Sequence, residues 1–319
     1  MLVSPRNTHI KNGCRIYFVS LLILVVLASC NPYGQNADFL YRVDDYPADR
    51  LVWSPTGRHL AFTSHSGSLN KSSIYILDIQ TREAELFMTT DYGNLAAGAW
   101  TPDETELVFF ANSSEEFTDG IWIVPINNSS APRLYLDEEV AFGWSSTNQI
   151  AIARGDRNGN LSIYLKELKT KEEEVVFTDQ GDSVSPFSWS ADGTKLVFSL
   201  DRGEFRRNDI FVVDLKTQEA QQITNEGTND YPSLSPSGNM VAYTKGDFSG
   251  STPTYPLHIM NSDGTCDTGV PGLTDIGSPA WSPDGKWIAF IGNGNRIFLF
   301  DVIATFGEDF LKKGLSCNY

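Results

Sequence analysis

One pattern of apolar and polar positions recurs along most of this chain. A large apolar residue is followed by a polar turn and a short apolar run. The copies read WSPTGRHLAF from Trp53, WTPDETELVF from Trp100, WSSTNQIAI from Trp144, WSADGTKLVF from Trp189, LSPSGNMVAY from Leu234 and WSPDGKWIAF from Trp281. Their first residues are separated by 47, 44, 45, 45 and 47 positions. A second run follows each copy: IYILD at Ile74, IWIVP at Ile121, IYLKE at Ile163, IFVVD at Ile210, LHIMN at Leu257 and IFLFD at Ile297. Short runs rich in β-branched and aromatic residues read as strands. A repeat of about 40–50 residues holding several such strands reads as a propeller blade.

The turn chemistry supports this reading. Proline supplies a fixed φ at the first turn position, and glycine accepts the positive φ of a tight hairpin. After the I-x-I-x-D run a further turn leads to an outer strand ending near Thr, as in QQIT (Gln221 to Thr224) or PGLT (Pro271 to Thr274). Four antiparallel strands in each of six units predict an all-β, six-bladed β-propeller. The sixth unit lacks an obvious fourth strand. Phe39-Leu40-Tyr41-Arg42-Val43 lies about 11 residues before Trp53, as Ile223 lies 11 before Leu234, so the N-terminal strand is expected to close the last blade. Closure buries edges that would otherwise stay open to pairing.

The first 29 residues follow a different pattern. Arg6, Lys11 and Arg15 precede an apolar run from Ile16 to Ala28 with no acid among them, the layout of a secretory signal. Leu27-Ala28-Ser29-Cys30 resembles the lipobox of bacterial lipoproteins, a family in which the Cys becomes the lipid-bearing N-terminus. An uncleaved anchor is the alternative. The expected division is therefore a signal over 1–29, a tether over 30–38 and a propeller with a C-terminal tail over 39–319, held outside the cytoplasm on a membrane, in the periplasm or at the cell surface.

Charge narrows the partners. Loss of the three basic signal residues leaves 21 Lys plus Arg against 40 Asp plus Glu, a net charge of −19. Nucleic acid demands a basic surface, so it is excluded as a partner, and the balance equally disfavours lying flat on anionic lipid. Cys266 and Cys317 remain beside Cys30 in the mature chain. An even pair in an oxidising compartment points to a disulfide, and propeller topology puts both on one face; two unpaired thiols are the alternative.

The W-S-P-D-G-K-x-I-A-F phrase, with I-F-V-V-D and a terminal L-T, resembles the TolB-like family of WD40-like β-propeller repeats over roughly residues 39–302. The third copy departs from the pattern with Ser146-Thr147-Asn148 in its turn, and the fifth replaces Trp with Leu234. The resemblance implies a six-bladed propeller in the cell envelope. TolB proteins carry an α/β domain before the propeller and serve the Tol-Pal system as soluble periplasmic partners. Only 23 residues run from Leu27 through Asp49, too few for such a domain, so a Tol-Pal role is not expected.

Enzyme signatures are sparse. The chain has no G-x-S-x-G elbow, no H-E-x-x-H and no Cys pair at zinc spacing. His59 and His65 fall near or beyond the ends of blade 1's second strand and His258 in blade 5's third, and each reads as a surface or packed strand residue. Asp156-Arg157-Asn158-Gly159-Asn160 reads as a hairpin turn rather than a calcium loop. Phe117, Phe205, Phe248 and Tyr255 read as aromatic packing of the hairpins, with binding as the alternative.

One recurrent constellation is acidic. Asp45, Asp91, Glu138 with Glu139, Asp182, Asp230 and Asp275 each precede an innermost strand and would ring one mouth of the channel. Such a ring focuses negative potential toward a cation, calcium being the candidate, or toward a partner's basic group. Local backbone capping by turn carboxylates is the competing explanation. The reading is a lipid-anchored envelope propeller that binds an envelope or extracellular protein, or a small ligand, with no cofactor required. The alternative is an extracytoplasmic enzyme acting on polysaccharide or peptide through the channel-mouth carboxylates.

Overall fold

The computed structural model describes residues 37–43, 48–66, 71–91, 93–112, 117–138, 141–205 and 207–317. Six antiparallel sheets follow one another along the chain. Blade 1 holds Ala48–Trp53, His59–Ser66, Lys71–Asp78 and Glu83–Asp91. Blade 2 holds Asn94–Trp100, Glu106–Asn112, Gly120–Pro125 and Arg133–Leu136. Blade 3 holds Ala141–Trp144, Gln149–Gly155, Asn160–Glu167 and Glu173–Gln180. Blade 4 has an innermost strand in two pieces, Ser183–Val184 and Ser188–Trp189, then Lys195–Asp201, Asn208–Asp214 and Glu219–Gln222. Blade 5 holds Asn229–Leu234, Met240–Lys245, Leu257–Asn261 and Thr268–Gly269. Blade 6 holds Gly277–Trp281, Trp287–Gly292 and Arg296–Asp301, and its fourth strand is Ala37–Arg42.

That closing strand pairs antiparallel with the last strand, Ala37 opposite Phe300 and Arg42 opposite Arg296. The ring is thus shut by its own N-terminal strand, as expected, although the strand begins at Ala37 rather than Phe39.

The second strand of each blade is apolar on both faces because it is covered by a neighbouring blade on each side. Leu60-Ala61-Phe62, Leu107-Val108-Phe109, Ile150-Ala151-Ile152, Leu196-Val197-Phe198 and Ile288-Ala289-Phe290 are all fully buried. Burial on both faces replaces the in-out alternation of a half-exposed strand with a continuous apolar run. Met240-Val241-Ala242 of blade 5 is buried likewise, and at about 25 cal/mol per Å² of apolar surface removed from water each run adds to the stabilisation.

The Ser or Thr after the repeat Trp is a staple within each blade. The Oγ of Ser54, Ser145, Ser190, Ser235 and Ser282 accepts the N–H of the second strand's first residue at 3.0–3.1 Å, and Thr101 does so for Glu106 at 3.1 Å. The turn Asp in turn accepts from that hydroxyl, as Asp192 does from Ser190 at 2.7 Å and Asp284 from Ser282 at 2.6 Å. Gly57, Gly193, Gly238 and Gly285 take positive φ in these turns, and Asn148 supplies it at +62° in the divergent third copy.

Two details differ from expectation. The Pro271 to Thr274 segment is a turn, and the outer strand of blade 5 is reduced to Thr268–Gly269. Leu273 is buried there, and its carbonyl accepts the Leu257 N–H at 2.9 Å, doing the work of a longer strand. The tail after Asp301 forms short helices at Val302–Phe306 and Phe310–Lys313, with Phe310 and Leu315 buried against blades 5 and 6.

Strand direction defines two faces. The Ser-Pro-x-Gly turns, the third-to-outer-strand turns and the tail lie on one, the turn face. The second-to-third-strand hairpins and the acid-bearing connections lie on the other, the hairpin face.

Candidate functional site

The innermost strands line the central channel, and the repeat tryptophans stand along it. Trp53, Trp100, Trp144, Trp189 and Trp281, with Leu234 in the remaining blade, wall a cavity of about 360 Å³ toward the turn face. Pro55, Pro102, Pro236 and Pro283 of the adjacent turns add rings at its rim. The indoles also tie blades together: Trp53 Nε1 donates to the Ala280 carbonyl at 3.0 Å and Trp100 Nε1 to the Val52 carbonyl at 3.1 Å. The indole N–H groups of Trp144, Trp189 and Trp281 are buried with no partner among the described residues.

Higher in the channel the innermost strands lose regular register. Bulges fall between Asp49 and Leu51, Ala97 and Ala99, Asp230 and Ser233, and Gly277 and Ala280. Blade 4 is broken outright at Ser185-Pro186-Phe187, where proline has no N–H for the ladder. The bulged residues Arg50, Tyr231 and Ser278 take φ of +47°, +53° and +47°. A bulge re-aims its extra residue out of the ladder. In blade 2 that residue is Gly98, and a Cβ there would come within 2.1 Å of the Phe142 ring. Blades 2 and 3 therefore approach over a bare backbone.

Arg50 is the single charged residue among those lining the cavity. Its N–H donates to Asp49 Oδ1 at 2.7 Å, and the Ser278 hydroxyl reaches the same oxygen at 3.4 Å. Burial pulls the guanidinium pKa down, while Asp49 and Tyr231 act to raise it. An arginine stays charged under such a shift. Burial, then Asp49 and Asp230, push the Tyr231 phenol up. Arg50 also lines a second cavity of about 400 Å³ that opens between blades 1 and 2, shared with Asp49, His65, Lys71 and Asn94. His65 Nδ1 lies 3.0 Å from Ser72 Oγ, and burial lowers its pKa.

The acids singled out in the sequence lie elsewhere. Asp45, Glu139 and Cys30 fall outside the described residues. Asp91 is exposed and 3.8 Å from Lys71. Glu138 is gripped by Arg154 at 2.6 and 2.9 Å. Asp182 packs on the blade 4 hairpin, where a Cβ on Gly203 would meet its carboxylate at 2.5 Å. Asp230 accepts from Asn208, and its pKa is raised chiefly by burial. Asp275 is exposed with φ +55°. None of these five lines the cavity, and no group of three or more His, Cys, Asp or Glu is placed for a metal ion among the described residues.

The remaining candidates are distributed. His59 Nδ1 meets Glu104 at 3.1 Å in the next blade, and His258 Nδ1 meets Asp267 at 2.8 Å. Asp156 Oδ1 accepts the N–H groups of Asn158 and Asn160 at 2.7 and 2.9 Å, an ordinary turn cap. Phe117 and Phe248 pack as expected, against Phe109 and Trp122 and against Tyr255. Phe205, at the tip of the blade 4 hairpin, is 87% exposed. A disulfide joins Cys266 to Cys317 on the turn face, with Cα atoms 4.7 Å apart.

Sequence reasoning passed over Arg50. A signal was present, because the position three before each repeat Trp or Leu holds Ala97, Ala141, Pro186, Tyr231 and Ser278 in the other blades. Arg50 is the one charge in that column.

A closed ring of six four-stranded blades built from WD40-like repeats defines the class as a β-propeller. The chain belongs to the TolB beta propeller domain family, whose model matches residues 26–247 and 143–305. It is 25% identical over 258 residues to the Tol-Pal system protein TolB of Francisella tularensis subsp. mediasiatica, covering 78% of this chain and 58% of that protein. The chain thus spans less than two thirds of the length of this curated relative. Among solved structures it resembles TolB from Acinetobacter baumannii, with a TM-score of 0.59 and 17% identity over 78% of this chain and 64% of that one. A putative TolB from Agrobacterium tumefaciens gives a TM-score of 0.59 and 18% identity, covering 80% and 89%. Identity at that level speaks for the fold alone.

Proposed function

We propose that this protein is a cell-envelope β-propeller, tethered to a membrane through a lipid on Cys30, that serves as a docking platform for an extracytoplasmic protein partner on its hairpin face. The observation that carries the reading is Phe205, 87% exposed at a hairpin tip on that face. Large aromatic side chains held out in water are over-represented among the anchors of protein interfaces. Tyr255, 37% exposed and packed edge-on against Phe248, stands on the neighbouring blade 5 hairpin.

Three further points support it. A relative is a Tol-Pal system protein, and the repeat resemblance implies the cell envelope. The Cys266–Cys317 bridge is chemistry of an oxidising compartment. Ala37 starts the closing strand on the turn face, and the seven residues from Cys30 to Asn36 reach at most about 25 Å when extended. A short tether entering there turns the opposite, hairpin face away from the membrane. The test is photo-crosslinking in cells with benzoylphenylalanine placed at Phe205 or at Asp284 of the turn face. Discrete protein adducts from Phe205 and none from Asp284 are expected. Adducts from Asp284 alone would reverse the assignment.

A further inference from the structure

Arg50 is held in place at a steric cost, and nothing in the described protein completes it. Its backbone sits in the left-handed region at φ +47°, which residues with a Cβ adopt unfavourably. The equivalent bulge of blade 2 carries Gly98, so the propeller itself does not require a side chain at this point. The Arg50 N–H is pinned to Asp49 Oδ1 at 2.7 Å, which fixes where the side chain leaves the strand.

The guanidinium makes no hydrogen bond or ion pair among the described residues. Other arginines of this acidic chain do: Arg58, Arg133, Arg154, Arg202 and Arg207 all pair with carboxylates. Five fixed N–H donors with no acceptor among the described residues, half-buried at the junction of two cavities, form an incomplete arrangement. The complement of a guanidinium fork is a planar anion that accepts two parallel hydrogen bonds.

The surroundings select the kind of anion. Asp49 and Asp230 stand close enough to act on the Arg50 and Tyr231 site, so a second negative charge on the ligand would be repelled. One cation with acids beside it suits a monoanion. Below Arg50 the walls are Trp and Pro side chains, which suit an apolar or ring-shaped body. A volume of about 360 Å³ lies within the range of small-ligand sites.

We propose that the central channel is a binding site for a small monocarboxylate carried on an apolar ring, its carboxylate held by Arg50 with the Tyr231 hydroxyl beside it and its ring against the channel tryptophans. The site is separate from the hairpin tips, so it neither depends on nor decides the docking reading above.

The test uses 3-phenylpropionate and its neutral twin 3-phenylpropionamide on the mature wild-type protein. Tryptophan emission is the readout, because five of the seven tryptophans line the cavity. A saturable response to the acid is expected, with affinity at least about tenfold above the amide, the effect of one charge-assisted pair. Arg50→Gln should bring the acid down to the level of the amide and leave the amide unchanged, and Arg50→Lys should recover part of the difference. Equal affinity for acid and amide, no saturation up to about 20 mM acid, or unchanged acid binding in Arg50→Gln would overturn the proposal. Tighter binding of inorganic phosphate than of the acid would overturn it too. The acid–amide comparison needs no variant, so a poorly folding Arg50→Gln leaves the test decisive.

Discussion

Asn261 holds Leu315 by both ends of its amide. Its Oδ1 accepts the Leu315 N–H at 2.8 Å, and its Nδ2 donates to the Leu315 carbonyl at 3.0 Å, across a sequence separation of 54. Gly314 lies directly over this clamp at φ +72°, where a Cβ would come within 2.7 Å of Asn261 Oδ1. Two residues further along, Cys317 is bridged to Cys266. The tail is therefore tied to blade 5 twice, once by hydrogen bonds and once covalently.

The two ties should be separable. The disulfide spans 51 residues, so replacing both cysteines with Ser should cost about 4 kcal/mol in the chain-entropy account. Asn261→Ala leaves two backbone groups of Leu315 without partners and should cost about 1–3 kcal/mol. Hydrogen exchange distinguishes them: the Leu315 N–H should stay protected when Cys266 and Cys317 are both Ser and lose protection only when Asn261 is also changed. Loss of protection with the cysteines alone would mean that the bridge, not the clamp, seats the tail.

The proposed lipidation at Cys30 makes a direct prediction. A clickable fatty acid fed to cells should label the wild-type chain, and Cys30→Ala should abolish the label while leaving the propeller soluble. A labelled Cys30→Ala variant would show that the lipid, if any, is elsewhere.

Stability toward acid should depend on the blade 3 ion network. Arg154 bonds Glu138 at 2.6 and 2.9 Å and Glu173 at 2.7 Å, and Lys166 bonds Glu173 at 2.9 Å. Arg154 first, then Lys166, draw the Glu173 pKa down to about 2. A carboxylate lowered on folding adds stability above its unfolded pKa of about 4.3 and loses it as pH falls through the folded value. Glu173→Gln should therefore cost about 1 kcal/mol at pH 7 after allowance for solvent screening. Urea melts should show that gap constant down to about pH 5 and closing between about pH 4 and pH 2. A gap that persists to pH 2 would assign the loss to packing.

The propeller was legible because each blade writes its own turn chemistry. Ser190, Asp192 and Gly193 do in three dimensions what their order in the chain announces: cap, brace and reverse. The closing strand was legible for the same reason, since an unpaired strand at one end matched a gap at the other. What lay hidden depends on contacts between distant segments. Glu138 reads as a free channel-mouth acid until Arg154, sixteen residues on, is seen to hold it. Arg50 reads as one more strand residue until the bulge turns it into the channel. Phe205 reads like Phe117, yet Phe117 is buried against Phe109 and Trp122 while Phe205 is 87% exposed, a difference set by hairpin geometry.

The docking face can be challenged by substitution, and the structure decides which residues are fit for it. Asp230 is unsuitable for charge reversal, because it accepts from Asn208 and is partly buried, so a change there would disturb the fold. Asp91 is suitable: its side chain is 71% exposed, and its 3.8 Å contact with Lys71 contributes little in water. Phe205→Ser and Asp91→Lys should each leave the melting temperature within a few degrees of wild type, as surface changes normally do. Phe205→Ser should weaken partner capture at least about tenfold if the ring is an anchor, and Asp91→Lys should act mainly on the association rate and its salt dependence. Asp284→Asn, at a side chain 52% exposed on the turn face, keeps an oxygen for the Ser282 hydroxyl, so it is the control and should leave capture unchanged. Capture that survives Phe205→Ser but fails with Asp284→Asn would place the partner on the turn face.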